Sequence, residues 1–318
     1  MILSVSRRTD IPAFYSEWFI NRINEGFVYV RNPFNSKQIS KIRITPDIVD
    51  CIVFWSKDPL PLMKHIDKLS SYNYYFQYTI TPYDNDIEVN LRSKRDILNT
   101  FIDLSKLIGK EKVILRYDPI LFTDRYTMDF HIRSFERLCE KIEGFIERIV
   151  ISFLDDYKKV SRNMKHISLK KIENEDMYQI AANFSNIAQK HNISIETCAE
   201  SVDLENFGIK HGRCIDGELI ERITGYKLKS LKKDGHRGQC LCHECVDIGQ
   251  YDTCTHGCLY CYANVNKELA NRNRLLHDPK AMILCGDYDD VNVRERKDLR
   301  LFRCNDDSKI DKQLKFDL

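Results

Sequence analysis

Short apolar runs alternate with amphipathic stretches through the first 200 residues of the chain. Ile2–Val5, Cys51–Trp55, Tyr74–Ile80, Val113–Tyr117, Ile149–Phe153 and Ser194–Cys198 read as strands. Cys51-Ile52-Val53-Phe54-Trp55 and Ile149-Val150-Ile151 are unbroken apolar runs, the signature of strands buried on both faces of a parallel sheet. Between the runs, Ile97, Phe101, Leu104 and Ile108 recur at helical spacing. So do Phe135, Leu138 and Ile142, and later Met177, Ile180, Phe184 and Ile187. Asp129 and Asn174 are candidate N-caps for two of these helices.

Six strands joined by helical crossovers predict a βαβ series. Two sheets fit it, an open doubly wound one and a partial barrel. A partial (β/α)6 barrel, resembling a TIM barrel, is preferred because each strand runs into polar residues. These are Ser6-Arg7-Arg8-Thr9-Asp10, Ser56-Lys57-Asp58, Gln77 with Thr79 and Thr81, Arg116-Tyr117-Asp118-Pro119, Ser152 with Asp155, and Glu196 with Cys198 and Glu200. Parallel α/β folds place their chemistry at such strand ends. The barrel is expected over residues 1–202, with a cysteine-rich extension and charged tail over 203–318. Lys227–Gly238 reads as an exposed connector, and the sequence after Tyr262 as solvated surface.

Composition narrows the function. At 318 residues and 37.6 kDa, 43% apolar and 30% charged, the chain is an ordinary folded protein. Its net charge of +2 leaves no general basic field for nucleic acid. No run is apolar enough for a membrane helix, and the N-terminus lacks a signal-peptide core, so a cytoplasmic location is expected.

Cysteine changes the picture. There are 12, and Cys240, Cys242, Cys245, Cys254, Cys258 and Cys261 crowd one short stretch. Cys254-x-x-x-Cys258-x-x-Cys261 offers three thiolates to a 4Fe–4S cube and leaves its fourth iron open. That iron can chelate S-adenosylmethionine (SAM). Gly257 suits a loop curled round a cube, and Tyr260 is placed to pack near the adenine. Arg7, Arg8, Arg31, Lys57 and Arg116 are candidate ligands for the SAM carboxylate or a substrate phosphate, Arg116 foremost. The surplus cysteines suggest a second, four-cysteine cluster on Cys198, Cys214, Cys240 and Cys242, with Cys245 spare. Buried core roles compete for Cys198 and Cys214. Cys51 and Cys139 read as structural, while Cys285 and Cys304 show no pattern.

The motif resembles that of the radical SAM superfamily, CxxxCx-aromatic-C. More closely, the chain is similar to a bacterial family known as a domain of unknown function, itself distantly similar to spore photoproduct lyase-type enzymes. The resemblance rests on Ser6–Pro12, Phe54–Pro59, Arg116–Pro119 and Asp247–Asn264. It implies a partial barrel with a cluster at its mouth, SAM as co-substrate and a reductant such as flavodoxin or ferredoxin. It assigns no substrate, small molecule or nucleic acid. The sequence departs from the superfamily in one large respect: the cysteine motif follows all six strands, where it normally follows the first.

Two other functions compete. Cys242-x-x-Cys245 and Cys258-x-x-Cys261 approximate a zinc ribbon, which would make the protein a binding module. An iron–sulfur electron carrier or redox sensor that never cleaves SAM is the third.

Overall fold

The computed structural model describes residues 1–155, 158–229, 231–233 and 240–304. Its strands are β1 (Ile2–Val5), β2 (Phe27–Asn32), β3 (Asn35–Arg43), β4 (Cys51–Ser56), β5 (Tyr74–Thr79), β6 (Val113–Ile120), β7 (Arg148–Phe153), β8 (Ser194–Thr197), β9 (Lys210–His211), β10 (Val246–Asp247) and β11 (Val293–Glu295). All six expected strands are present. They are β1 and β4 to β8, adjacent in that order, parallel throughout, with β10 beyond β1 and β9 beyond β8. Strands with helical crossovers must run parallel to pack those helices on the sheet, which is why the continuous apolar runs occupy its middle.

No described strand pairing joins β9 to β10, so the sheet is not a closed barrel. The two edges are bridged by loops instead. Tyr75 and Gln77 of β5 both donate to the carbonyl of Cys214, just after β9, at 2.7 and 3.0 Å. His243, just before β10, donates its backbone N–H to Ile215 at 3.1 Å. The chain leaving β9 therefore crosses the face of the sheet that carries Tyr75 and Gln77. Asp247 fastens the other edge. Its carboxylate accepts from Ser4 and Ser6 hydroxyls and from the N–H groups of Arg7 and Gly249, at 2.6–2.9 Å.

Helices cover the sheet. The longest are α1 (Lys94–Ile108), α2 (Met128–Ile142) and α3 (Asn174–Lys190). Phe135 of α2 stacks on Phe184 of α3 at 3.8 Å between ring centroids, and Tyr117 of β6 meets both edge-on. The caps lie one or two residues before those expected. Thr127 accepts from Phe130 N–H, and Glu173 forms a reciprocal capping box with Asp176. Each lets its helix start earlier and satisfies an otherwise orphaned N–H.

The region after 202 is no separate layer. It supplies β9 and β10 to the main sheet and β11 to a small sheet ordered β11-β3-β2. Nor is the tail after Tyr262 simply solvated. Ile283, Leu284, Cys285 and Phe302 are buried, and Trp18 and Asn21 donate to the carbonyls of Ala281 and Pro279. Asp50 accepts the N–H groups of Phe302 and Arg303. Most of the described tail is exposed or half-buried, as expected, but a few scattered apolar residues suffice to dock it when backbone hydrogen bonds carry the rest. Of the expected connector, Ser230 and residues 234–238 lie outside the described residues, as do 305–318 of the tail.

Candidate functional site: two cysteine groups on one cavity

The three clustered cysteines occupy a loop closed on itself. Asp252 donates its N–H to Ala263 and accepts from Val265, and Asn264 donates to the Cys254 carbonyl at 2.7 Å. The loop is also stapled to the turn after β5. Leu259 N–H reaches Ile87, and Asn90 donates to the carbonyls of His256 and Thr255. Gly257 holds φ at +72°, where a side chain is strained, and a Cβ there would press on Val89 and Asn90. His256 turns away from its neighbouring cysteines to Asp10 at 2.8 Å, leaving Nδ1 buried without a partner. Asp10 is saturated by Ser56, Lys57 N–H and Ala13 N–H.

Under this loop sits a charge cage. Glu88, almost fully buried, accepts from Lys57 at 2.7 Å and Thr81 at 2.6 Å, and from Lys94 and the Tyr260 hydroxyl. Burial alone would raise its carboxyl, but the two lysines hold it down to about 2. The surplus positive charge lies beside Cys258. Burial raises that thiol to about 12, and Lys57 opposes the rise. Burial raises Cys254 and Cys261 as well, against main-chain N–H groups of His256 on Cys254 and of Ala263 and Asn264 on Cys261.

A second group is drawn from three separate stretches. Cys198 follows β8, Cys214 follows β9, and Cys240 and Cys242 precede β10. The Cys198 and Cys214 sulfurs are 3.1 Å apart. The N–H groups of Cys214 and Ile215 point at Cys242 Sγ, at 3.3 and 3.5 Å. Cys240 bonds Cys242, which lowers its thiol to about 7. Arg116, buried at 6% exposure, donates to Cys214 Sγ at 2.7 Å, pairs with Asp118 and lies 5.4 Å from the Trp55 ring.

One cavity of about 530 Å³ joins both groups. Its lining includes Cys261 and Tyr260 of the loop, Cys198, Cys214, Cys240 and Cys242 of the second group, and the cations Arg7, Arg8, Lys57 and Arg116. The residues expected from sequence are thus gathered, save that Cys254 and Cys258 lie outside its lining. Among the described residues, no three His, Cys, Asp or Glu side chains are grouped tightly enough for a single metal ion.

Two expected roles change. The Arg116 guanidinium is engaged by Asp118 and Cys214 rather than held open for a ligand carboxylate. Alternation along a strand puts residues 116 and 118 on one face, a signal the sequence already contained. Tyr260 anchors its loop, bonding Glu88 and meeting Tyr83 edge-on at 5.9 Å, so only part of it faces the cavity. Cys245 stands apart, its sulfur 3.3 Å from Arg7, while Cys242 turns to Cys214. The two sulfurs of that CxxC pair thus have different partners. Glu88, Lys94 and the rim residues Pro33 and Phe34 escaped sequence reasoning. Only the Asn-Pro turn hinted at the hairpin that carries the last two.

The site and fold define a parallel α/β protein whose cysteines converge on a strand-end cavity. The family described as a domain of unknown function (DUF1848) matches residues 2–263, and the chain belongs to it. No curated protein matches. Among solved structures, a putative alpha-L-fucosidase from Bacteroides thetaiotaomicron VPI-5482 is similar at 11% identity and a TM-score of 0.25, covering 71% of this chain and 81% of that one.

Proposed function

We propose that the protein is a radical SAM enzyme built on a partial barrel, with a 4Fe–4S cluster on Cys254, Cys258 and Cys261. When bound, that cluster with SAM on its open iron supplies reductive cleavage to methionine and a 5′-deoxyadenosyl radical, the electron coming from a flavodoxin- or ferredoxin-type donor. The observation that carries the reading is the single cavity shared by Cys261, Lys57, Arg7 and Arg8. The donor set fits. Three thiols lie in one closed loop, with main-chain N–H groups on the Cys254 and Cys261 sulfurs; the nearby Asp252 carboxylate accepts from Val265, and His256 turns its Nε2 to Asp10. A cube binds each thiolate to its own iron, so it does not ask three sulfurs to converge on one point.

The chain's own residues do the rest. Lys57 and the Glu88–Lys94 pair keep net positive charge beside Cys258, which favours the thiolate. Arg8, over Tyr251 at 5.5 Å, and Arg7 line the cavity, each 3.9 Å from the Asp247 carboxylate, and add positive charge that would attract a ligand carboxylate. Tyr260 and Asn90 fix the loop against the sheet.

Anaerobically reconstituted protein given dithionite and SAM should release 5′-deoxyadenosine and methionine in equal amounts. Fully loaded, reduced protein that makes neither product, and whose EPR spectrum ignores SAM, would be an electron carrier. Stoichiometric zinc and no iron would make it a binding module.

A further inference from the structure

We propose that Cys198, Cys214, Cys240 and Cys242 bind a second 4Fe–4S cluster on the wall of the same cavity, and that Arg116 is its charge partner. This goes beyond the first cluster and does not depend on it.

Convergence is the first observation. Three stretches spread over some forty residues of chain deliver four sulfurs to one wall. By contrast Cys51, Cys139 and Cys285 are buried singly, as core cysteines are. Charge is the second. Arg116 is buried, and a buried guanidinium requires anions around it. Asp118 supplies one, and the remaining hydrogen-bonding edge is turned on Cys214 Sγ and on Gln77. A neutral thiol is a weak acceptor; a cluster-bound thiolate is a strong one. The third is the pair of main-chain N–H groups aimed at Cys242 Sγ, donors that a thiolate would use fully.

A disulfide fits less well. At 3.1 Å the Cys198 and Cys214 sulfurs are not bonded, since a disulfide needs about 2.05 Å. Zinc is the competing ion for four thiolates, and metal analysis of the triple variant separates it from iron.

Four proteins separate the two clusters: wild type, the triple variant Cys254→Ala/Cys258→Ala/Cys261→Ala, the double variant Cys198→Ser/Cys240→Ser, and all five changes together. After anaerobic reconstitution and desalting, iron should be about eight, four, four and zero per chain. Mössbauer and EPR spectra of the triple and double variants should differ. The triple variant decides the matter, because it alters only the Cys254–Cys261 loop and leaves the proposed ligands intact. If it is folded by circular dichroism and holds no iron, the second cluster is refuted while four irons in wild type would uphold the first. If wild type and triple variant each hold four, the second cluster stands and the first falls. Zinc in the triple variant, or a Cys198–Cys214 disulfide in its reduced, reconstituted form, also refutes the proposal.

Arg116→Gln should keep the iron of the triple variant but make its cluster harder to reduce, because a nearby positive charge favours the added electron. Arg116→Lys should restore the potential in part. An unchanged potential in both would remove Arg116 from the proposal.

Discussion

The two walls of the cavity are made in opposite ways. The Cys254–Cys261 wall is one contiguous loop that closes on itself and rests on a cage of lysines around Glu88. The Cys198–Cys242 wall has no local structure of its own. It exists only where the ends of β8, β9 and β10 are brought together, with Arg116 beneath. The first should tolerate damage to the sheet edge, and the second should not. A local loop carries its geometry in a few turn residues, whereas an assembled wall inherits every error of the strands that position it.

The most direct way to break this contrast is Asp247→Ala. Four donors lose a buried acceptor, and only the backbone pairing is left to hold β10 to β1. A cost of about 3–5 kcal/mol is expected, read by urea unfolding. In anaerobic reconstitution, iron bound in the triad-deleted background should fall further than iron bound in the Cys198→Ser/Cys240→Ser background. Equal losses would mean that the walls are one cooperative unit.

Glu88→Gln attacks the other wall. It leaves Lys57 and Lys94 side by side without their carboxylate, but Lys94 is about a third exposed and can swing to water. The expected cost is therefore smaller, about 2–3 kcal/mol. It should fall on the triad: iron retained in the Cys198→Ser/Cys240→Ser background should drop, while iron in the triad-deleted background should not.

The same contrast explains what the sequence revealed. The six central strands were legible because burial on both faces forces unbroken apolar runs such as Cys51–Trp55. The triad was legible because its ligands are neighbours in the chain. Glu88 and Lys94 were invisible because nothing local links them to Lys57 or Tyr260; only the fold makes them partners. β9 and β10, two residues each, are too short for any periodicity. β3 was missed because Asn35–Gln38 are exposed and polar, and its pairing with β2 and β11, not burial, holds it extended. Arg116 was expected at a strand end, whereas β6 runs on to Ile120 and puts it in mid-strand, and its acceptor Cys214 lies 98 residues away in sequence.

Acid should weaken the ground beneath the triad wall more than the other. His131 is fully buried under Tyr83 and Tyr117, accepting from the Tyr117 hydroxyl and donating to the Leu121 carbonyl in its neutral form. Burial lowers it to about 4, against the raising effect of the Leu121 carbonyl. In the unfolded chain it takes up a proton near pH 6.5. Its contribution to stability is thus complete above about pH 6.5 and is lost as pH falls toward 4. At pH 5 the loss is about 2 kcal/mol. His131→Asn should be less stable at pH 7 yet lose about that much less between pH 7 and 5 in urea unfolding. Parallel losses in the two proteins would show that His131 already carries its proton in the fold.

The smallest effect is expected at Phe34, which belongs to neither wall. It sits at the tip of the β2–β3 hairpin, 95% exposed, yet it lines the cavity rim beside Pro33. An exposed ring buries almost no area, so Phe34→Ala should change stability by less than about 0.5 kcal/mol. The iron content of both walls should also stay as in wild type, because none of the proposed ligands or their charge partners bonds to the hairpin tip. The rate of deoxyadenosine release without substrate should likewise be unchanged if the cofactor lies between Cys261 and the cations of the cavity floor. A slower rate, with iron and stability intact, would place SAM against the hairpin and move the substrate to the Cys198–Cys242 wall.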